Sequence, residues 1–333
     1  MDRLLAAGGI VVRFVVYGAG AVGGVIGARL FQADQNVVLI TRGAHHDAIR
    51  DKGLRLICQD EDVTLRVPVV RHPGELTFDE YDVVILAMKT QHTAAALADL
   101  SAAASTIPIA VVCAQNGVEN ERLALRWFAD VYGVCVMCPT GHLEPGVVEA
   151  FASPLSGLLD LGRYPSGQDD RARSIATSIE TAAFQSIPRV DIMRWKYAKL
   201  ITNLSNAANA LCGSSPTIAE IATRARAEAE RVLRASNIAF ASTEEDAERR
   251  GNLLQMKPYG PGTGRGSSTW QSLRRGAGSV ETDYLNGEIA LLGRITGVAT
   301  PVNELLQRLC AEHARLGLPP GSLDPADLLA QLG

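Results

Sequence analysis

One segment in the second half of the chain carries an amine and two amides at helical spacing. It runs from Arg194 to Leu211 and contains Lys199, Asn203 and Asn206. At about 100° per residue these three polar residues fall within a narrow sector of one continuous helix. A lysine can protonate a carbonyl oxygen that is becoming a hydroxyl, and amides can orient a small polar substrate. The segment therefore predicts a substrate site, and a solvated stripe on a half-exposed helix is the alternative.

A glycine-rich turn near the N-terminus predicts a cofactor site. The sequence Phe14-Val-Val-Tyr17-Gly18-Ala-Gly20-Ala-Val-Gly23 joins an apolar run to a helical segment with G-x-G-x-x-G spacing. The first glycine permits a tight turn, the second lets a pyrophosphate approach the backbone, and the third lets the helix pack closely on the sheet. A plain tight turn is the alternative. The predicted cofactor-binding residues here are Gly18, Ala19, Gly20, Ala21, Val22 and Gly23.

Residues that follow three other apolar runs extend this prediction. Arg42 comes after the second run, where an acidic residue would bind the ribose of NAD and an arginine can pair with the 2′-phosphate of NADP. We therefore expect NADP rather than NAD, with a solvated surface arginine as the alternative. Lys89 and Asn116 come after two later runs, at the edge where such sheets bind ligands. Their alternatives are a surface lysine and an Asn-Gly turn.

Short apolar runs alternate with helical segments in the first half of the chain, which predicts a parallel sheet with helices on both faces. The expected strands after the glycine turn are 36–40, 81–87, 107–112 and 133–137, with a short helix at 45–54 and a strand or hairpin arm at 63–70. After Pro188 the pattern is long and helical, with helices expected at 217–235, 280–296 and 301–316.

The predicted fold class is therefore α/β, an N-terminal Rossmann-type doubly wound sheet with an all-α C-terminal domain. We expect an NADP-binding domain at 1–188 and a helical substrate domain at 189–333. A glycine-rich loop is expected at 259–268 within the second domain.

Bulk composition excludes several other classes of protein. The 333 residues carry a formal net charge of −4 with dispersed basic residues, so nucleic acid is not an expected partner. No apolar run has membrane-spanning length, and the first ten residues are expected to be an extended start rather than a signal peptide. The six cysteines are scattered, which indicates a reducing cytoplasm. Cys135 and Cys138 form a C-x-x-C within an apolar run, and we expect core thiols and no metal site.

These pieces together resemble the 2-dehydropantoate 2-reductase (ketopantoate reductase) family. The similarity extends from about Arg13 to about Leu316, and its combination of motifs is specific although no single motif is. In order, the matching residues are the Gly18–Gly24 turn, Lys89, Gln115-Asn116-Gly117, Trp195, Lys199-Leu200, Asn203, Ser267-Ser268, Glu281-Thr-Asp283-Tyr-Leu-Asn286-Gly287 and Pro301-Val302-Asn303.

The resemblance implies NADPH-dependent reduction of 2-dehydropantoate to (R)-pantoate in a cleft between a Rossmann-type domain and a helical domain. It implies that Lys199 is the proton donor and that Asn203 and Ser268 contact the substrate. It also implies that Asn116 contacts both cofactor and substrate, and that Glu281 lies near the cofactor and the reacting hydroxyl. For Glu281 the alternative is an acidic residue placed in a first helical turn by the helix dipole. A homodimer through the helical domain is compatible with the resemblance.

The chain also departs from the family pattern. Where the family often has a second asparagine followed by proline, this chain has Asn206-Ala207-Ala208, and we expect Asn206 to serve instead. Lys196 is the second choice for the catalytic lysine. Two alternative functions stay open: a related NADP-dependent reductase of a different 2-oxo acid, and an NADP-binding regulator without turnover.

Overall fold

The computed structural model describes residues 12–257 and 266–332, which form two compact units. Within these ranges the first unit comprises 12–115, 120–192 and 250–257, and the second comprises 116–119, 193–249 and 266–332. The expected extended start lies outside the described residues, as does most of the expected glycine-rich loop at 259–268.

The first unit is built on a main sheet of eight strands and a smaller sheet of four. Its strands are β1 (Arg13–Tyr17), β2 (Asn36–Ile40), β3 (Leu54–Cys58), β4 (Glu61–Leu65), β5 (Val69–Val70), β6 (Asp82–Leu86), β7 (Ala110–Cys113), β8 (Asp130–Met137), β9 (Thr140–Gly141), β10 (Val147–Ala150), β11 (Gly157–Arg163) and β12 (Phe184–Gln185). The main sheet has the order β12-β11-β8-β7-β6-β1-β2-β5, and the smaller sheet has the order β4-β3-β10-β9.

The main sheet is parallel except where β11 pairs antiparallel with β8. Phe14, Val15 and Val16 in β1 are fully buried, as expected for a parallel strand covered on both faces. Strand β1 pairs with β2 on one side and with β6 on the other, so the strand order reverses there. The carboxyl ends of strands at such a reversal are where doubly wound sheets bind ligands. The predicted fold class is confirmed for this unit.

Five helices complete the first unit: α1 (Ala21–Gln32), α2 (Gly43–Lys52), α3 (Thr93–Ala104), α4 (Asn120–Leu125) and α5 (Asp170–Glu180). Helix α1 packs between the main sheet and the smaller sheet. Glycines in α1 allow this close packing, because a Cβ on Gly27 would lie 2.5 Å from Leu39 Cδ2 and one on Gly24 would lie 2.6 Å from Val148 Cγ1. The expected helix at 45–54 ends earlier, because Gly53 has φ +95° and Leu54 begins β3.

The second unit is helical throughout the part that the structure describes, as predicted. Its helices are α6 (Ile192–Asn203), α7 (Ser205–Cys212), α8 (Pro216–Ala235), α9 (Thr243–Arg250), α10 (Ser268–Arg274), α11 (Asn286–Thr296), α12 (Pro301–Leu316) and α13 (Pro325–Ala330). Leu204, Val232, Ile289 and Leu306 are fully buried in its core. None of the helices that the structure describes is both long and apolar enough to cross a membrane.

Two expected helices of this unit are interrupted. The continuous helix expected at 194–211 is divided at Leu204, which keeps helical angles (φ −60°, ψ −30°), while its N–H bonds to Ile201 O in a tightened turn. The helix expected at 280–296 is a 3₁₀ turn at Glu281–Tyr284 followed by α11, with Leu285 at φ −114°, ψ −88° between them.

Candidate active site

The three glycines of the turn after β1 differ in what surrounds them. Gly18 has φ +96°, and a Cβ there would lie 2.6 Å from Met88 N. A Cβ on Gly23 would overlap the Gly18 oxygen and lie 2.8 Å from Ala87 Cβ. By contrast, a Cβ on Gly20 would meet no heavy atom within 4 Å. The first and third glycines are therefore needed by the fold, whereas the second borders open space.

The start of α1 faces this open space with unused donors. Gly20 is the N-cap residue of α1 and its oxygen accepts the first helical bond, from Gly24 N, at 2.7 Å. In the described parts of the chain, the N–H groups of Ala21 and Val22 donate to no other group. Free N–H groups at the positive end of a helix bind phosphate well. The turn thus has the shape and the donors that a pyrophosphate requires.

Arg42 follows β2 at the same edge of the main sheet. It is exposed and is the N-cap residue of α2. Its guanidinium makes no hydrogen bond and no ion pair with any residue that the structure describes. The Arg42 cation acts electrostatically on the Tyr17 hydroxyl but has no charged partner among the described residues, so it can pair with an anionic group of a ligand, and contact with a 2′-phosphate stays a prediction.

A buried polar network holds the loops that follow β6 and β7. Gln115 Nε2 donates to Met88 O and to Thr93 Oγ1, both at 2.8 Å. Thr93 Oγ1 donates to Asn120 Oδ1 at 2.8 Å, and Asn120 Nδ2 donates to Thr90 Oγ1 at 3.2 Å. The network was not predicted from the sequence. It fixes the backbone on either side of the half-buried Lys89, whose contact with a cofactor stays a prediction.

The structure brings two of the predicted substrate residues into contact. Asn203, at the end of α6, donates from Nδ2 to Asn116 Oδ1 at 3.1 Å. Lys199 is half-buried and lies one helical turn before Asn203 on the same face of α6, whereas Lys196 is buried. The Asn203 side chain makes no other hydrogen bond to the described residues. Its Oδ1 and second Nδ2 hydrogen are therefore available to a ligand.

Asn206 and the start of α10 are joined through a neighbouring serine. Ser267 Oγ donates to Asn206 O at 3.1 Å and also caps α10 by accepting from Trp270 N at 3.2 Å. Among the residues described, neither the Asn206 amide nor the Ser268 hydroxyl has a hydrogen-bond partner. Polar groups available to a ligand are thus present at the end of α6 (Asn203), in α7 (Asn206) and at the start of α10 (Ser268), and the Ser267 bond holds the last two of these segments together.

A second buried network reaches the interruption between α6 and α7. Asn286 Nδ2 donates to Leu204 O at 3.2 Å and to Asn303 Oδ1 at 3.0 Å. Glu228 accepts from Asn303 Nδ2 at 2.7 Å and from the Val302 and Asn303 N–H groups at the start of α12, at 2.9 and 3.0 Å. Asn286 and Asn303 are among the residues that match the family, but their hydrogen-bond partners were not predicted. Glu281 is buried in the 3₁₀ turn just before α11, and its role stays a prediction.

The cysteines of this fold are buried or half-buried. Cys135 is buried in β8, Cys138 follows the strand, and all six thiols are free. Burial raises the pKa of Cys138 to about 12, so its reactive thiolate is scarce at neutral pH. Within residues 12–257 and 266–332 there is no cluster of His, Cys, Asp and Glu suited to a metal ion.

Two sequence models of one family match the chain on both sides of the domain boundary. Ketopantoate reductase PanE/ApbA matches residues 14–165, and Ketopantoate reductase PanE/ApbA C terminal matches residues 191–314. The chain belongs to the ketopantoate reductase family. It is an oxidoreductase of the 2-dehydropantoate 2-reductase type, as the resemblance indicated.

Individual relatives of this family extend over nearly the whole chain. The 2-dehydropantoate 2-reductase of Mesorhizobium japonicum is 29% identical over an alignment 339 positions long, which covers 90% of this chain and 98% of that protein. The PanE/ApbA family ketopantoate reductase of Ralstonia eutropha JMP134 has a TM-score of 0.76 and 26% identity, over 92% of this chain and 99% of that one. D-mandelate dehydrogenase, solved with NADH and anilino(oxo)acetate, shares the fold with a TM-score of 0.78, 24% identity and the same coverage.

Proposed function

We propose that the protein catalyses the NADPH-dependent reduction of 2-dehydropantoate to (R)-pantoate. The observation that carries the proposal is the match of the family to both units, since the first holds the glycine turn and the second holds Lys199 and Asn203. Bound NADPH supplies a hydride to the carbonyl carbon. The carbonyl oxygen then needs one proton, which the protein must provide.

Lys199 is the proposed source of that proton. Its ammonium donates to the carbonyl oxygen and stabilises the negative charge that develops there. Asn203 orients the substrate with its available amide atoms, and its bond to Asn116 keeps that amide from rotating. Asn206 and Ser268 add polar contacts to the substrate. Glu281 holds the reacting hydroxyl or the lysine in position.

The residues around the glycine turn fit the dinucleotide. The open space at Gly20 admits a pyrophosphate, and the N–H groups of Ala21 and Val22 donate to its oxygens. Arg42 pairs with the 2′-phosphate, and this contact favours NADPH over NADH. Lys89 and Asn116 are the further proposed contacts to the cofactor.

Loss of NADPH absorbance in the presence of 2-dehydropantoate tests the reaction directly. Lys199→Ala should lower kcat about 10²–10⁴-fold, the range for loss of a general acid. The Kd for NADPH should change little, because Lys199 is not among the proposed cofactor contacts. Lys196→Met is the matched control on the same helix, and its kcat should stay near that of the wild type. The reverse pattern would transfer the acid role to Lys196.

Reduction of a different 2-oxo acid is the second candidate function. The sequence Asn206-Ala207-Ala208, in place of the family's asparagine and proline, alters the residues next to the substrate. Comparison of kcat/KM for 2-dehydropantoate and 2-oxoisovalerate separates the two candidates. A higher value for 2-oxoisovalerate would favour the second.

A further inference from the structure

A buried histidine is bonded to the glycine turn from a different element. His45 lies in α2 and is 8% exposed. Its Nε2 lies 2.7 Å from Ala19 O, and its Nδ1 lies 2.8 Å from the Gly146 nitrogen, just before β10. The imidazole therefore joins the turn, α2 and the loop before the smaller sheet's β10.

The two partners define the state of the ring. A backbone N–H can only donate, so Nδ1 of His45 accepts from Gly146 and carries no hydrogen. The Ala19 oxygen can only accept, so Nε2 carries the hydrogen and donates it. Burial, together with the nearby His142 ring at 4.2 Å between centroids, lowers the pKa of His45 to about 4. At neutral pH the ring is therefore one neutral tautomer with both nitrogens engaged.

The bond to Ala19 sets the orientation of a peptide at the centre of the turn. The Ala19 oxygen faces the interior, 3.0 Å from the place of a Cβ on Gly24. The N–H of the same peptide belongs to Gly20 and bonds to Gly18 O at 2.8 Å. A rotation of this peptide would break both bonds and turn the carbonyl dipole toward the open space at Gly20. A carbonyl oxygen in that space would repel a phosphate.

We propose that His45 is a positioning residue of the cofactor site, which holds the Ala19–Gly20 peptide in the orientation that accepts the pyrophosphate. The proposal rests on the proposed binding of NADPH at this turn. His45 acts through Ala19 and does not touch the cofactor itself.

Two conservative variants separate the two bonds of the ring. In His45→Gln the amide nitrogen can reach the place of Nε2 and donate to Ala19 O, whereas the bond from Gly146 is lost. In His45→Asn the amide oxygen can reach the place of Nδ1 and accept from Gly146, whereas the bond to Ala19 is lost. Each variant loses one buried hydrogen bond, so their stabilities should be similar.

Fluorescence titration with NADPH should distinguish the variants. His45→Asn should raise the Kd about tenfold, as expected for loss of one hydrogen bond that orders the site, and His45→Gln should stay within about threefold of wild type. Adenosine 2′-monophosphate lacks the pyrophosphate, and its Kd should be equal in all three proteins. A general structural defect would weaken the binding of both ligands.

Equal NADPH affinities in the two variants, with tight binding by the wild type, would overturn the proposal and leave the proposed function intact. A wild-type protein that binds neither NADPH nor NADH would overturn both. ¹⁵N NMR of the wild-type histidines provides a test that needs no variant. A His45 ring that carries its hydrogen on Nδ1 at neutral pH would also overturn the proposal.

Discussion

Gly20→Ala is the sharpest test of the cofactor site, because it adds one methyl group where the protein leaves space. The ideal Cβ at this position meets no heavy atom of the protein within 4 Å. The methyl group would instead occupy the space that we assign to a phosphate oxygen. The substitution should therefore separate ligand binding from folding.

Backbone strain, helix capping and the entropy of the unfolded chain together set the stability of the Gly20→Ala variant. Gly20 is the N-cap residue of α1 with φ −74° and ψ −147°, and because this ψ lies about 30° beyond the extended region, alanine there adds a strain of about 1 kcal/mol. Alanine is a poorer N-cap residue than glycine, at a cost of about 0.5–1 kcal/mol. Removal of a glycine restricts the unfolded chain and stabilises the fold by about 0.4–1 kcal/mol. The free energy of unfolding should therefore fall by about 0.5–1.5 kcal/mol relative to wild type.

Binding of NADPH should respond much more strongly. A phosphate displaced by a methyl group loses one or two charge-assisted bonds from the start of α1, each worth about 1.5–3 kcal/mol. A total loss of about 2–4 kcal/mol corresponds to a Kd about 30–1000-fold higher. Fluorescence titration measures the Kd, and urea denaturation of the same preparation measures the free energy of unfolding.

Gly23→Ala is the matched control, since the same methyl group would overlap the Gly18 oxygen and press on Ala87 Cβ. Both neighbours are held by the sheet, so this variant should lose about 1–3 kcal/mol of stability through overpacking. Gly20→Ala with an NADPH Kd within threefold of wild type would refute the assignment of the phosphate to this space. A loss of more than about 3 kcal/mol of stability in Gly20→Ala exceeds the expected strain and capping costs, and it would refute the reasoning about the open space itself.

Three further predictions concern other residues. Arg42→Ala should raise the Kd for NADPH about 10–100-fold and leave the Kd for NADH nearly unchanged. An equal rise of both Kd values in a fluorescence titration would mean that Arg42 does not touch the 2′-phosphate. Glu228→Gln should lower the free energy of unfolding by about 2–3 kcal/mol, because one of the carboxylate oxygens that accept at the start of α12 is replaced by a donor. Urea denaturation measures this free energy, and a change below about 0.5 kcal/mol would contradict the prediction. Burial and the neighbouring His142 lower the pKa of His45 from 6.5 to about 4. Between pH 6.5 and pH 4 the His45 ring is therefore protonated in the unfolded chain and neutral in the folded protein. Stability should therefore fall by at most about 3 kcal/mol as the pH falls from 6.5 to 4, and His45→Gln should lack this contribution; an identical pH dependence of the two proteins would contradict it.

The elements that could be predicted from the sequence are those with a local signal. The expected strand at 36–40 coincides with β2, and the glycine turn follows β1 as predicted, because apolar runs and glycines determine these features within a few residues. The strand or hairpin arm expected at 63–70 overlaps β4 of the smaller sheet, but the sheet as a whole was not predicted, since its β3 pairs with β10 about ninety residues later. Neither strand can be recognised as part of a sheet from its own sequence.

In the candidate site, too, the features with a local signal were predicted and the long-range contacts were not. Lys199 and Asn203 are on one face of α6 because four residues make about one turn, which is a local property. The contact between Asn203 and Asn116 joins residues 87 positions apart, so the sequence identified both residues without predicting their bond. The interruption of the helix at Leu204 was also missed, because its carbonyl partner is Asn286, 82 positions away.

Two irregular backbone segments near the predicted site residues are stabilised by the same kind of hydrogen bond. Ala19 in the glycine turn and Leu204 between α6 and α7 each present a carbonyl oxygen to a buried side chain from a distant element, His45 and Asn286 respectively. A buried carbonyl at a turn or an interruption must find a donor, since an unpaired one is costly. A donor held by a separate helix fixes the carbonyl's direction more firmly than water would. Buried polar side chains such as Asn286 and His45 therefore mark an irregular backbone segment elsewhere in the fold, and such residues should be examined first when a chain of this family is altered.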